Sequence, residues 1–317
     1  MLAGEMKQSQ KKQKVFSVSI IVCTYNGEKT LAECLESLNK LIYPSDRLEI
    51  LIVDNASIDK TKKISQDFIK KSKFKSRYIF ESELGLSTAR NRGVKEAKNE
   101  IIAFIDDDAE ADRNWIKNIN ICFQDKNVRA VGGRVKPKFE IKPPDWLPSK
   151  YLFALTICDL GQKIKKVPYI CGTNMAFRKK VFSQAGFFRT DLGRVGNNLV
   201  SGEELDLCQR ITKAKGKIIY NPKAIVYHLA PKERLTKKFF RKRIFIEGVS
   251  LAKMDKKRVD FGKRLRWTVF HRPKGLLIAL FWLLIFSFQR DEKKSFSYQC
   301  DFLLNLGYLY GVFRNVL

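Results

Sequence analysis

101-IIAFIDDDAEAD-112 runs five apolar residues into three consecutive aspartates. Carboxylates this close repel one another, and each must keep a proton or find a cation. The chain around them carries a formal net charge of +28, so the acidic run stands against its background. It reads as a solvated acidic loop or as a metal site at the end of a strand.

The same grammar recurs upstream. "VSIIVCTYN" (18–26) is a β-branched apolar run ending in polar residues, followed by helical spacing of Leu31, Leu35, Leu38 and Leu41. "LEILIVDNAS" (48–57) repeats it, with a helix expected over 59–71, a third strand at 76–82 and a helix over 85–98. Unbroken apolar strands alternating with helices predict βαβ units and a buried, mostly parallel sheet. Right-handed crossovers align the C-terminal strand ends on one edge, where open α/β sheets bind ligands. Thr24-Tyr25-Asn26, Asp54-Asn55 and Asp106–Asp108 all fall on that edge.

Beyond Lys136 the regularity breaks. "KPKFEIKPPDWLPSK" (136–150) reads as a Pro-rich excursion, "YICGTNMAFRKKVFSQAGFF" (169–188) as strand, turn and short helix. "GEELDLCQRITKAKG" (202–216) reads as an amphipathic helix, and "KIIYNPKAIVYHL" (217–229) as two short strands around an Asn-Pro turn. Residues 232–274 then hold sixteen Lys/Arg against four Asp/Glu, and Gly275–Gln289 is uncharged over fifteen residues. A membrane-spanning helix needs about 20 apolar residues, so this stretch reads as an interfacial or re-entrant anchor, or as a buried core helix.

The composition narrows the class. With 44% hydrophobic residues over 317 positions the chain is globular. Seven cysteines without a CxxC pair argue against a disulfide scaffold or zinc ribbon and suit a reducing compartment. The first 14 residues are charged, lack the apolar core of a secretory signal, and are expected to form a flexible basic tail.

"VSIIVCTYNGEKTLAECLESL", "EILIVDNASIDKT", "GLSTARNRGV", "IIAFIDDDAEAD", "GTNMAFRKKVF" and "GEELDLCQR" occur in this order between Ser17 and His228. In that order they resemble inverting family 2 glycosyltransferases with the GT-A fold. The resemblance implies a Rossmann-like nucleotide-binding domain over 15–230, followed by a basic, helical, membrane-associating region over 231–317. It implies that Thr24, Tyr25, Asn26 and Asp54 line the nucleobase pocket and that Arg90 lies near the nucleotide. Asp106 and Asp108 match a DxD motif for Mg²⁺ or Mn²⁺, with His228 joining the metal or diphosphate. Asp107 is expected to point the other way along an extended backbone. Gly172, Thr173 and Asn174 are expected against the donor sugar and acceptor.

The catalytic base is implied at Glu204 or its neighbour Glu203, which also suit the positive end of a helix. The resulting expectation is transfer from a nucleotide sugar, with UDP the favoured carrier, to a hydroxyl of a saccharide or lipid-linked acceptor. The basic region would hold the enzyme peripherally or monotopically on the cytoplasmic face of an anionic membrane. A nucleotidyltransferase is the alternative enzyme, but "CTYNGEKT" lacks a Gly-rich, Lys-bearing phosphate loop. A nucleic-acid-binding protein would use the basic–aromatic interleaving around Phe239 and Phe240. That reading leaves the acidic strand ends unexplained, and no nucleic-acid partner is expected.

Overall fold

The apolar runs form strands where their pattern predicts. The computed structural model describes residues 13–196, 198–256 and 261–314, with backbone only for 261–273. Most of the expected basic tail, residues 1–12, lies outside the described residues. β1 (Val18–Thr24), α1 (Leu31–Asn39), β2 (Leu48–Asp54), α2 (Thr61–Lys71), β3 (Lys75–Phe80), α3 (Leu86–Glu96) and β4 (Ile101–Asp106) make the βαβ half. β1 pairs in parallel with both β2 and β4, and β2 with β3.

The strands are apolar throughout because both faces are covered. Ile20, Val22, Ile50 and Ile52 pack with Leu31, Leu35 and Leu38 of α1 on one face. Ile21, Leu51 and Val53 pack with Ala89 and Val94 of α3 on the other. Each fully buried leucine or isoleucine stabilises this layer by about 1.5–3 kcal/mol.

The second half is mixed. β5 (Ala109–Ala111), α4 (Trp115–Cys122), β6 (Val128–Phe139), β7 (Lys165–Lys166), β8 (Met175–Arg178), α5 (Lys180–Gln184), α6 (Glu203–Lys213) and β9 (Lys217–Ala230) follow in chain order. The sheet runs β3-β2-β1-β4-β8-β6-β9-β5, with β7 also on β9. β8 is antiparallel to both β4 and β6, whereas β6 and β9 run parallel.

Two expectations change here. Residues 217–229 are one long strand rather than two around a turn. Gly133 faces Asn221 and Arg134 faces Ile225, so Pro222–Ala224 form a bulge, a place in a sheet that tolerates proline. Asn221 Oδ1 accepts the Lys223 N–H at 3.0 Å, which closes that bulge as an Asx turn. Lys136–Phe139 likewise continue β6 instead of opening the excursion, because β9 is long enough to pair with them.

Three helices complete the chain: α7 (Lys237–Lys256), α8 (Phe261–Phe288) and α9 (Glu292–Phe313). Phe240 and Ile244 of α7 and Phe296 and Cys300 of α9 share an apolar cluster with Leu147, Tyr151 and Ala230. This cluster docks the helices against the end of the sheet. α7 and α9 cross closely, since a Cβ on Gly307 would collide with the Phe245 carbonyl and one on Gly248 with the Leu304 carbonyl. Of the stretch Gly275–Gln289, all but Gln289 forms the second half of α8, and it is not a buried core helix. Ala279 is buried and Phe286 stacks on Tyr298 of α9 at 5.5 Å, but Leu277, Ile278, Leu280, Phe281, Leu284 and Phe288 are exposed. Among the described residues no helix is long and apolar enough to cross a membrane.

Candidate active site

Strand register assembles the polar loops. Thr24 lies beside Asp54 and Cys23 beside Asp106, so three strand ends open onto one cavity of about 580 Å³. The N-terminus of α6 and residues of α7 and α9 form the facing wall. A groove of about 940 Å³ lies elsewhere, against Lys98, Glu100 and Arg178, and contains none of the motif carboxylates.

Asp106, Asp108 and His228 each offer a ligand atom within 4.8 Å of the others. Antiparallel pairing of Ala109 with His228 brings the last two together, with His228 Nε2 at 3.1 Å from Asp108 Oδ1. Burial opposes the charge on Asp108, but His228 and Arg234 outweigh it and hold its pKa below the usual carboxylate range. His228 Nδ1 is buried without a partner among the described residues. Two carboxylates and an imidazole form a donor set that fits Mn²⁺ or Mg²⁺, leaving room for phosphate oxygens.

Asp107 departs from its expected place. Residues 107–108 form a turn rather than extended backbone, and Asp107 lines the cavity. Its carboxylate accepts the Thr24 hydroxyl at 2.6 Å. Burial and the adjacent Asp108 push its pKa up to about 7.

Arg90 spans the site. Its buried guanidinium reaches Glu203 at 2.5 Å and Asp106 at 3.3 Å. Both glutamates line the cavity with a buried Oε2 that has no partner among the described residues, but Glu203 is tied through Oε1 to Arg90, whereas Glu204 makes no ion pair among the described residues. Burial and the charge of Glu203 push Glu204 up to about 8, with Arg90 opposing. Gly172 is packed here, since a Cβ would sit 3.0 Å from the Arg90 guanidinium and 3.6 Å from Glu204 Oε1.

Tyr25, Asn55, Thr173 and Gly172 also face the cavity, whereas Asn26, Asp54 and Asn174 do not. Asn26 fixes the neighbouring loop, accepting the Ile58 N–H at 3.0 Å. Asp54 is buried, with one oxygen on the Ser57 N–H and the other on the Tyr78 hydroxyl. Asn174 accepts from the Trp115 indole at 2.8 Å and donates to the Arg134 and Ala224 carbonyls, so its amide is fully used inside the sheet. The sequence reading missed Arg194, Arg234, Arg243 and Glu247 on the wall. Arg234 and Arg243 were hidden in a basic run whose charges look alike without the fold.

A carboxylate–histidine cluster at the carboxyl edge of a nucleotide-type α/β sheet, with a glutamate pair on the same cavity, defines a GT-A type glycosyltransferase. The chain belongs to glycosyl transferase family 2, whose family model matches residues 19–186. It is 30% identical over 245 residues to a glucosyl-dolichyl phosphate glucuronosyltransferase of Haloferax volcanii, covering 75% of this chain and 77% of that protein. Glycosyltransferase AglE of the same organism is 28% identical over 71% of each chain. The fold is similar to that of the mannosyltransferase PcManGT from Pyrobaculum calidifontis, solved with GDP-Man and Mn²⁺. The TM-score is 0.62 at 19% identity, over 92% of this chain and 87% of that one. S. aureus TarS 1–349 with UDP-GlcNAc gives a TM-score of 0.54 at 16% identity, over 89% and 90% of the two chains.

Proposed function

We propose that this glycosyltransferase inverts the anomeric centre of a nucleotide sugar, a UDP-sugar for preference, with Glu204 as the base. The observation that carries this reading is the contrast between Glu203, locked through Oε1 to Arg90, and Glu204, which lines the cavity with no ion-pair partner among the described residues. The acceptor hydroxyl gives its proton to Glu204 as its oxygen bonds the anomeric carbon. The bond from that carbon to the diphosphate oxygen breaks, and its electron pair leaves with the nucleotide. A carboxyl poised near pH 8 suits proton abstraction at neutral to mildly alkaline pH. Arg90 holds Glu203 and Asp106 in place between base and donor. A divalent cation held by Asp106, Asp108 and His228 would supply Lewis-acid stabilisation of the departing diphosphate.

The acceptor is a saccharide or lipid-linked glycan, and residues 15–230 act as the transferase domain. Residues 231–317 hold the enzyme on the cytoplasmic face of an anionic membrane. Supporting this, the apolar stripe of α8 is exposed and bracketed by the exposed Lys274, Arg290, Lys293 and Lys294. Such a helix lies in the interface with its basic ends on anionic headgroups. The decisive variant is Glu204→Gln. Transfer should fall roughly 10²–10⁴-fold with donor binding retained; unchanged turnover removes Glu204 as the base.

A further inference from the structure

The groove of about 940 Å³ lies at the other end of the sheet from the catalytic cavity. Residues 98–100 precede β4, whose far end carries Asp106, and Ile101 at its start pairs with Arg178 at the end of β8. Phe16, Phe123 and Phe182 line the groove as buried rings, and Phe187 opens onto it, 40% exposed. Eight Lys/Arg but a single carboxylate, Glu100, share the lining, against 61 and 33 over the whole chain.

Little of that charge is neutralised locally. Glu100 is already paired with Lys14 at 3.0 Å. Arg178 donates to the Val128 and Phe123 carbonyls and lies 5.1 and 5.2 Å from the ring centres of Phe16 and Phe123. Burial and the neighbouring Arg129 push its pKa down, with Glu100 and Asp125 opposing. Lys95, Lys98, Lys126, Arg129 and Lys180 make no ion pair with any described residue. A cleft with apolar walls and one sign of charge focuses its field and draws the opposite charge in.

The shape and chemistry select the occupant. The cations come from the segment before β1, the end of α3, the turn between α4 and β6, and the junction of β8 with α5. One small anion does not reach all four, whereas carboxylates strung along a chain do. A flat bilayer leaves recessed rings unfilled. Single-stranded nucleic acid needs open ring faces on which bases stack, and three of these four rings are no more than 6% exposed. Ring edges recessed between cations instead suit an apolar side chain flanked by carboxylates.

We propose that this groove docks an acidic segment of a partner protein. Apolar side chains of the segment seat among the four phenylalanines, and its Asp and Glu residues meet the five unpaired cations. Because the groove and the catalytic cavity lie at opposite ends of β4, partner and nucleotide bind together. The surface stations the transferase on its partner without closing the active site.

The test uses a short fluorescein-labelled peptide in which Asp/Glu pairs alternate with phenylalanine. Anisotropy is read on the full-length protein at about 0.15 M salt, where distant surface charges are screened. Lys98→Glu with Lys126→Glu, both exposed and free of side-chain bonds to described residues, should weaken binding roughly tenfold. A peptide with serine for phenylalanine should bind wild type roughly tenfold more weakly. Lys62→Glu with Lys63→Glu, an exposed pair on α2 outside both cavities, should change binding less than about twofold. UDP with Mn²⁺ should not displace the peptide. Equal binding by wild type and the groove pair would overturn the proposal, as would an equal loss in the α2 pair or displacement by UDP. Poly(U) or phosphatidylglycerol vesicles depending on the groove pair more strongly than the peptide does would assign the groove to nucleic acid or membrane and overturn it too.

Discussion

Arg90 shows how one side chain can be both structural and functional. It is buried between Glu203 and Asp106, so truncating it strands two carboxylates. Arg90→Ala should therefore cost about 3–5 kcal/mol in denaturant unfolding, the range for breaking a buried pair; a loss no larger than a surface pair's would contradict the geometry. Glu204 makes the complementary prediction. Its pKa rises from an ordinary 4.5 to about 8 on folding. The folded state thus binds this proton more tightly, and the stability it gives below pH 4.5 is lost as pH climbs through about 8. Glu204→Gln should melt near wild type at about pH 5 and a few degrees higher at about pH 9. A pH-independent difference would show that Glu204 is not perturbed. The carboxylates of this site were legible because three strand ends repeat one polar grammar. Asn174 was not, because only the fold reveals that Trp115, Arg134 and Ala224 use up its amide.

At the level of elements, the parallel half of the sheet could be read from periodicity alone, since buried strands and amphipathic helices alternate there. The second half could not. β9 is held as one strand by pairing with β6, a long-range partner that local Asn-Pro chemistry does not announce. The α7–α9 crossing was equally hidden, because it depends on glycines that look unremarkable in sequence. Gly307→Leu would drive a side chain into the Phe245 backbone and pry apart the helices carrying Arg243, Glu247 and Leu304. Overpacking of this kind costs about 1–3 kcal/mol. The variant should unfold at lower denaturant than the wild type. An unchanged unfolding midpoint would contradict the close crossing of α7 and α9.

Across the whole molecule, the proposed membrane contact rests on the exposed apolar stripe of α8. Sedimentation with phosphatidylglycerol vesicles should recover the protein at about 0.05 M salt and release much of it at about 0.5 M, where surface charge is screened. Replacing Phe281 and Leu284 together with serine should weaken that binding at both salt concentrations, since each apolar side chain contributes up to about 1.5–3 kcal/mol when buried. Binding unaltered by this pair would place the membrane contact elsewhere. Asp106, Asp108 and His228 should make the cavity a metal-dependent nucleotide site. Calorimetric titration of UDP, GDP and dTDP, with Mn²⁺ and then with EDTA, tests it most directly. The wild type with Mn²⁺ should bind one equivalent of a preferred nucleotide, and this binding should be lost on chelation and in Asp108→Asn. Nucleotide binding of equal affinity with EDTA and in Asp108→Asn, or no binding by the wild type with Mn²⁺, would contradict it.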